Sequence, residues 1–83
     1  MFVKQFPTDR NRVYNEVAGL TMSIWYPDKA MCELEPIGPR ENLQPNQAAS
    51  FTETWRLLPY PFPAKGNPVD LSKVSKLVHQ NTD

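Results

Sequence analysis

The feature that most constrains this chain is a segment whose apolar side chains recur with a period of two. Within residues 17–26, apolar and more polar positions alternate as Leu20, Thr21, Met22, Ser23, Ile24, Trp25 and Tyr26. A period of two places alternate side chains on opposite faces of a β-strand. The β-branched and aromatic residues in the segment also favour a strand. We therefore predict a strand over 17–26.

Related patterns predict three further strands and one helix. The strands are expected near 2–6, 31–35 and 48–58, and strands 17–26 and 31–35 should form an antiparallel hairpin through a turn at residues 27–29. A second turn is expected at 44–47, where Asn46 tolerates the left-handed conformation. The helix should cover 70–79, with Asp70 as its N-cap and an apolar stripe at Leu71, Val74, Leu77 and Val78.

The prolines predict how these elements are joined. Nine prolines in 83 residues exceed the usual share of about 5%, and several lie in the segment 59–68. This segment is interpreted as a strap over the sheet, with Tyr60 and Phe62 packed down, or as a ligand for a proline-recognising module. The predicted fold is one domain over 1–83, mainly β. It consists of a small antiparallel sheet or partial sandwich of about four strands, with the strap and a short C-terminal helix.

Composition excludes several classes of function. Nine basic and nine acidic residues balance, and no basic run suggests a nucleic-acid partner. No apolar run approaches the ~20 residues of a membrane helix, and no secretory signal pattern is present. The single cysteine, Cys32, cannot form an intramolecular disulfide, so we expect a cytoplasmic protein. One Cys and one His do not make a four-ligand zinc site, so neither a metal nor a cofactor is predicted.

Three glutamates are the candidates for chemistry. Glu33 and Glu35 stand two apart on one strand, so both should point to the same face. They could form a carboxylate pair for acid–base work, although a solvated polar face is the commoner meaning of such a pair. Glu53 lies on the apolar face of its strand, where an acidic side chain is either paired or lines a cleft.

Two tryptophans are candidates for ligand or partner binding. Trp55 is expected mainly in the core, because aromatics in small β domains usually fill it, but it could also stack on a sugar ring. Trp25 shares the polar face of its strand, and an exposed Trp there marks an interface or a ligand platform. His79 lies near the end of the helix and is not expected to be catalytic.

The order of these motifs resembles a known family. The strand Cys32-Glu33-Leu34-Glu35, the Pro-rich loop, the turn Leu43-Gln44-Pro45-Asn46 and the strand Phe51-Thr52-Glu53-Thr54-Trp55 are similar to the C-terminal end of galactose mutarotase-like proteins. These are aldose 1-epimerases and related carbohydrate-binding β-supersandwich domains. The resemblance covers most of residues 2–58 and implies a chain equivalent to the last strands of a larger sandwich.

The resemblance implies a role for one residue and shows what is missing. In the family, the glutamate of the Leu-Glu pair takes the proton of the anomeric hydroxyl, and the matching position here is Glu35. The family's histidine acid lies well upstream and has no counterpart, Pro36 follows Glu35, and Asn46 replaces the preferred glycine. We expect Glu35 to line a shallow polar cleft or a dimer seam.

Three functions follow as hypotheses. The first is a carbohydrate-related β domain without a complete active site. The second is epimerase-like activity, with Glu35 as base and an acid from another chain. The third is a protein-interaction module or a self-associating structural domain, most simply a dimer.

Overall fold

The computed structural model describes residues 1–28 and 31–82 and is mainly β, as predicted. It contains four short strands and one helix: β1 (Phe2–Gln5), β2 (Met22–Trp25), β3 (Glu33–Pro36), β4 (Thr54–Leu57) and α1 (Leu71–Gln80). The strands form two antiparallel two-stranded sheets, β1 with β4 and β2 with β3.

The described residues divide into two compact units. One, here called the terminal unit, consists of residues 1–5 and the described part of 54–83, with β1, β4 and α1. The other, the central unit, covers the described part of Phe6–Glu53 and holds β2 and β3. None of the described residues is buried. This exposure follows from the architecture, because a two-stranded sheet needs a further strand or a helix against it to make a core.

The hairpin of β2 and β3 confirms the local prediction. Met22 lies opposite Pro36 and Trp25 opposite Glu33, and the Ile37 N–H extends the ladder to the Thr21 carbonyl at 3.0 Å. The predicted turn at 27–29 lies partly outside the described residues, because Lys29 is not among them.

Strand β2 is shorter than the segment predicted over 17–26. Residues 16–20 form a turn instead, in which the N–H groups of Gly19 and Leu20 both donate to the Glu16 carbonyl at 3.1 Å. Val17 adopts φ 49° and Gly19 φ 85°, neither of which is strand geometry. Hydrogen bonding within the turn therefore replaces the first half of the predicted strand.

Strand β4 is also shorter than the predicted 48–58. Its partner β1 ends at Gln5, two residues before Pro7, and a proline cannot donate to a ladder. Residues 48–53 are therefore not part of a described strand. The turn at 44–47 is confirmed, with the Gln47 N–H donating to the Gln44 carbonyl at 3.0 Å and Asn46 at φ 68°.

The helix confirms its predicted start. The Asp70 carboxylate accepts the N–H of Lys73 at 3.1 Å, which satisfies one of the open donors of the first turn. At the other end, the side chains of Asn81 and Thr82 donate to the carbonyls of Leu77 and Val78. Val74, Leu77 and Val78 are half-buried. Leu71, expected on the same apolar stripe, is 76% exposed.

Candidate functional site

The hairpin register brings three of the predicted site residues onto one face. Trp25 lies opposite Glu33, and Ser23 lies opposite Glu35. Opposite residues of an antiparallel pair share a face, and residues two apart on one strand do so as well. Ser23, Trp25, Glu33 and Glu35 therefore form a single surface, here called the acidic face.

The acidic face is accessible. Trp25 is 50% exposed, Glu35 is exposed and Glu33 is half-buried. Directly opposite side chains of an antiparallel pair have Cβ atoms about 5 Å apart. The Trp25 indole thus stands next to one carboxylate, with the second carboxylate two residues further along β3.

Glu35 lines an open surface depression of about 380 Å³. The other lining residues come from the 16–20 turn, β2, the end of β3 and the two residues after β3: Glu16, Ser23, Pro36, Ile37 and Gly38. The depression is shallow and polar in part, with a second carboxylate from Glu16. Sequence patterns gave no signal for Glu16, because its place depends on the 16–20 turn, whereas Ser23 was visible as a polar position of the β2 alternation.

The remaining predicted site residues lie elsewhere. Glu53 is half-buried at the end of the central unit and does not line the depression. Trp55 belongs to β4 in the terminal unit, where its ring meets Phe2 edge-on at 5.5 Å between centroids. The Lys4 ammonium lies 5.1 Å from the centroid of Trp55.

The expectation that Trp55 fills a core is wrong. Its side chain is 63% exposed, so this face of the β1–β4 sheet is largely open at Trp55. The same face carries Phe2 and Leu57, which lie opposite each other in the register and are also exposed. The alternation located Trp55 on the right strand, but it could not tell whether anything packs against the strand.

The described residues offer no second catalytic partner of the type that the family resemblance requires. The chain's one histidine, His79, has Nδ1 2.7 Å from the Ser75 carbonyl within α1, so Nδ1 carries the hydrogen and donates. Within residues 1–28 and 31–82, no group of three His, Cys, Asp or Glu side chains could hold a metal ion. Cys32 is an exposed free thiol.

No protein family model, no curated protein and no solved structure matches this chain. Among the described residues, no helix is both long and apolar enough to cross a membrane.

Proposed function

We propose that this protein binds carbohydrate on the acidic face, with Trp25 as a stacking platform and with Glu33 and Glu35 as acceptors for sugar hydroxyls. The observation that carries the proposal is the register of β2 and β3, which sets an exposed indole opposite one carboxylate and beside another. An aromatic ring offers an apolar surface to the C–H face of a sugar. Carboxylates accept strong hydrogen bonds from its hydroxyls.

The family resemblance supports the same surface independently of this geometry. It assigns to Glu35 the position of the glutamate that contacts the anomeric hydroxyl in mutarotase-like proteins. Glu35 lies beside an open depression that a pyranose ring could enter. The resemblance provides no acid for this site, so the proposal is binding without turnover.

The test is a titration with galactose and glucose, followed by tryptophan fluorescence and by calorimetry. We expect saturable, weak binding with a Kd in the millimolar range. Trp25→Ala should raise the Kd about tenfold, a loss of ~1.4 kcal/mol, and Glu35→Gln should raise it less. Trp55→Ala is the matched control, because Trp55 is similarly exposed on the other sheet, and it should leave the Kd unchanged.

Two results would refute the proposal. One is the absence of saturable binding by a folded sample. The other is an equal effect of Trp25→Ala and Trp55→Ala. Polarimetry of fresh α-galactose in the same samples tests turnover: acceleration that is lost in Glu35→Gln would extend the proposal from binding to epimerisation.

A further inference from the structure

The segment Pro59-Tyr60-Pro61-Phe62-Pro63 is a preorganised extended rod. Its three prolines fix φ near −65°, and a residue that precedes a proline is restricted to extended or polyproline-like conformations. Both non-proline residues, Tyr60 and Phe62, precede a proline. The segment therefore loses little conformational entropy when a groove binds it.

Exposure along the rod has a period of three. Tyr60 and Pro63 are half-buried, whereas Pro59 and Phe62 are exposed. A polyproline helix has three residues per turn, so residues three apart share an edge. One edge is thus partly covered and another presents Phe62, which is 85% exposed. The expectation that Phe62 packs down on the sheet is wrong. The Phe62 side chain is therefore accessible to a partner.

The central unit contains a depression that suits such a rod. Its volume is about 330 Å³, roughly twice the ~150 Å³ that encloses a benzene ring. Apolar rings line this depression together with hydroxyl and guanidinium donors. We call the depression the aromatic cleft, and its lining residues are Pro7, Thr8, Asp9, Arg12, Tyr14, Pro39, Glu41, Ser50, Phe51 and Thr52.

Hydrogen bonds within the unit hold the wall of this cleft in place. The Tyr14 hydroxyl accepts the Asp9 N–H at 3.0 Å, and Arg12 Nη2 donates to Glu41 Oε1 at 2.8 Å. Asp9 Oδ1 also accepts the N–H of Asn11 at 2.9 Å. Both carboxylates of the lining therefore have partners within the unit. A wall tied in this way needs little rearrangement on binding.

The floor of the cleft depends on Phe51. Its ring packs against Phe6, with 6.4 Å between centroids. A Cβ on Gly38 would stand 3.0 Å from Phe51 Cδ2, so glycine at this position is what lets the ring lie where it does.

The rod and the cleft are chemically complementary. Three of the five residues of the rod lack an N–H, so the rod is rich in acceptors and poor in donors. The cleft supplies donors: the Tyr14 hydroxyl keeps its own hydrogen while accepting from Asp9, and Thr52 adds another hydroxyl. Grooves that recognise polyproline segments combine aromatic surfaces with such donors.

We infer that residues 59–63 of one copy of this chain occupy the aromatic cleft of a second copy. Phe62 of the rod and most of the residues that line the cleft are exposed in the single chain. The rod belongs to the terminal unit and the cleft to the central unit. Reciprocal exchange would place two such contacts in one closed dimer, as symmetric dimers require. The inference does not depend on the carbohydrate proposal, because the lining of the aromatic cleft includes neither Trp25 nor Glu35.

The first test is the association state, measured by sedimentation equilibrium from micromolar to millimolar concentration. We expect a concentration-dependent dimer. Phe62→Ala should raise its dissociation constant about tenfold or more, as truncation of a central aromatic anchor does. Leu71→Ala, which truncates a similarly exposed side chain on α1, is the control and should leave the constant unchanged. A monomer throughout the range, or equal effects of the two variants, overturns the inference.

A second test keeps the inference falsifiable if a variant folds poorly. A synthetic peptide covering residues 58–64 is titrated into the wild-type chain. It should compete the dimer apart and bind the chain, and Phe51→Ala should abolish this binding while circular dichroism reports an intact fold. A peptide that neither binds nor competes overturns the inference. Trp25→Ala should not affect the dimer, so failure here is distinguishable from failure of the carbohydrate proposal.

Discussion

The two sheets of this protein have the same number of strands and the same antiparallel pairing, but their side chains are used differently. In the β1–β4 sheet, the side-chain contacts cross between the strands: Trp55 meets Phe2 and Lys4, and Arg56 donates to Gln5 at 2.8 Å. In the central unit, the side-chain contacts described above join residues of different loops, for example Arg12 with Glu41 and Phe6 with Phe51.

This difference follows from how far apart the strands lie in the sequence. β1 and β4 are separated by about half the chain, and closing so long a loop has an entropic cost. Cross-strand contacts such as the Phe2–Trp55 pair help to offset that cost. β2 and β3 are neighbours in the sequence and form a hairpin. The loop between them is much shorter, so its closure has a lower entropic cost. The face of the hairpin is therefore available for the ligand contacts that we propose for Trp25.

The largest expected effect on stability comes from replacing Trp55 with alanine, and the same replacement at Trp25 is the comparison. Trp55→Ala removes the edge contact with Phe2 and the cation–π contact with Lys4, and we expect a loss of about 2 kcal/mol from the unfolding free energy of the terminal unit. Trp25→Ala should cost less than about 0.5 kcal/mol, as is usual for an exposed side chain. Denaturant unfolding followed by the circular dichroism of α1 measures the first effect.

Each tryptophan variant also supplies a reporter for the other unit. In Trp55→Ala, the remaining Trp25 reports the central unit by fluorescence, and in Trp25→Ala, Trp55 reports the terminal unit. Equal destabilisation by the two substitutions would contradict the contrast between the sheets.

The sequence could predict the parts of this structure in which the interacting residues lie close together along the chain. The β2–β3 hairpin, the Asp70 cap and the left-handed Asn46 rest on neighbouring residues, and each was predictable. The pairing of β1 with β4 was not predicted, because no local pattern specifies a partner about fifty residues away. Periodicity predicted that Trp55 lies on a strand with an apolar face, but not that its side chain stays exposed.

The candidate site divides in the same way. That Glu33 and Glu35 share a face follows from their spacing of two, and the alternation identified Ser23 and Trp25 as a polar surface. The register that brings these pairs together had to come from the structure. The aromatic cleft was not foreseen, because loop segments such as 7–14 and 50–52 carry no period that could reveal their contacts.

A smaller effect is expected from the cap of α1, and it tests how far the terminal unit depends on its helix. Asp70→Ala leaves the Lys73 N–H without its acceptor and should cost about 1 kcal/mol. Asp70→Asn keeps an acceptor oxygen and should cost only a few tenths of that amount, since Asn is an equally good cap. Hydrogen exchange of the Lys73 amide and the circular dichroism of α1 measure both variants. If alanine and asparagine behaved alike, the hydrogen bond would not be stabilising the helix.

The smallest effect separates two contacts made by arginine side chains. One is the ion pair of the central unit, and the other is the hydrogen bond in the terminal unit from an arginine to an uncharged amide. Arg12 and Glu41 are both partly exposed, so a double-mutant cycle with alanine should give a coupling of about 0.5 kcal/mol. Added salt should reduce this coupling, because screening weakens attraction between exposed charges. The matched cycle on Gln5 and Arg56 joins an amide to a guanidinium at the same 2.8 Å across two strands, and salt should change it far less, since Gln5 carries no charge. Denaturant unfolding of each set in low and high salt measures both couplings. Equal salt dependence would mean that charge does not distinguish the loop contacts of the central unit from the cross-strand contacts of the terminal unit.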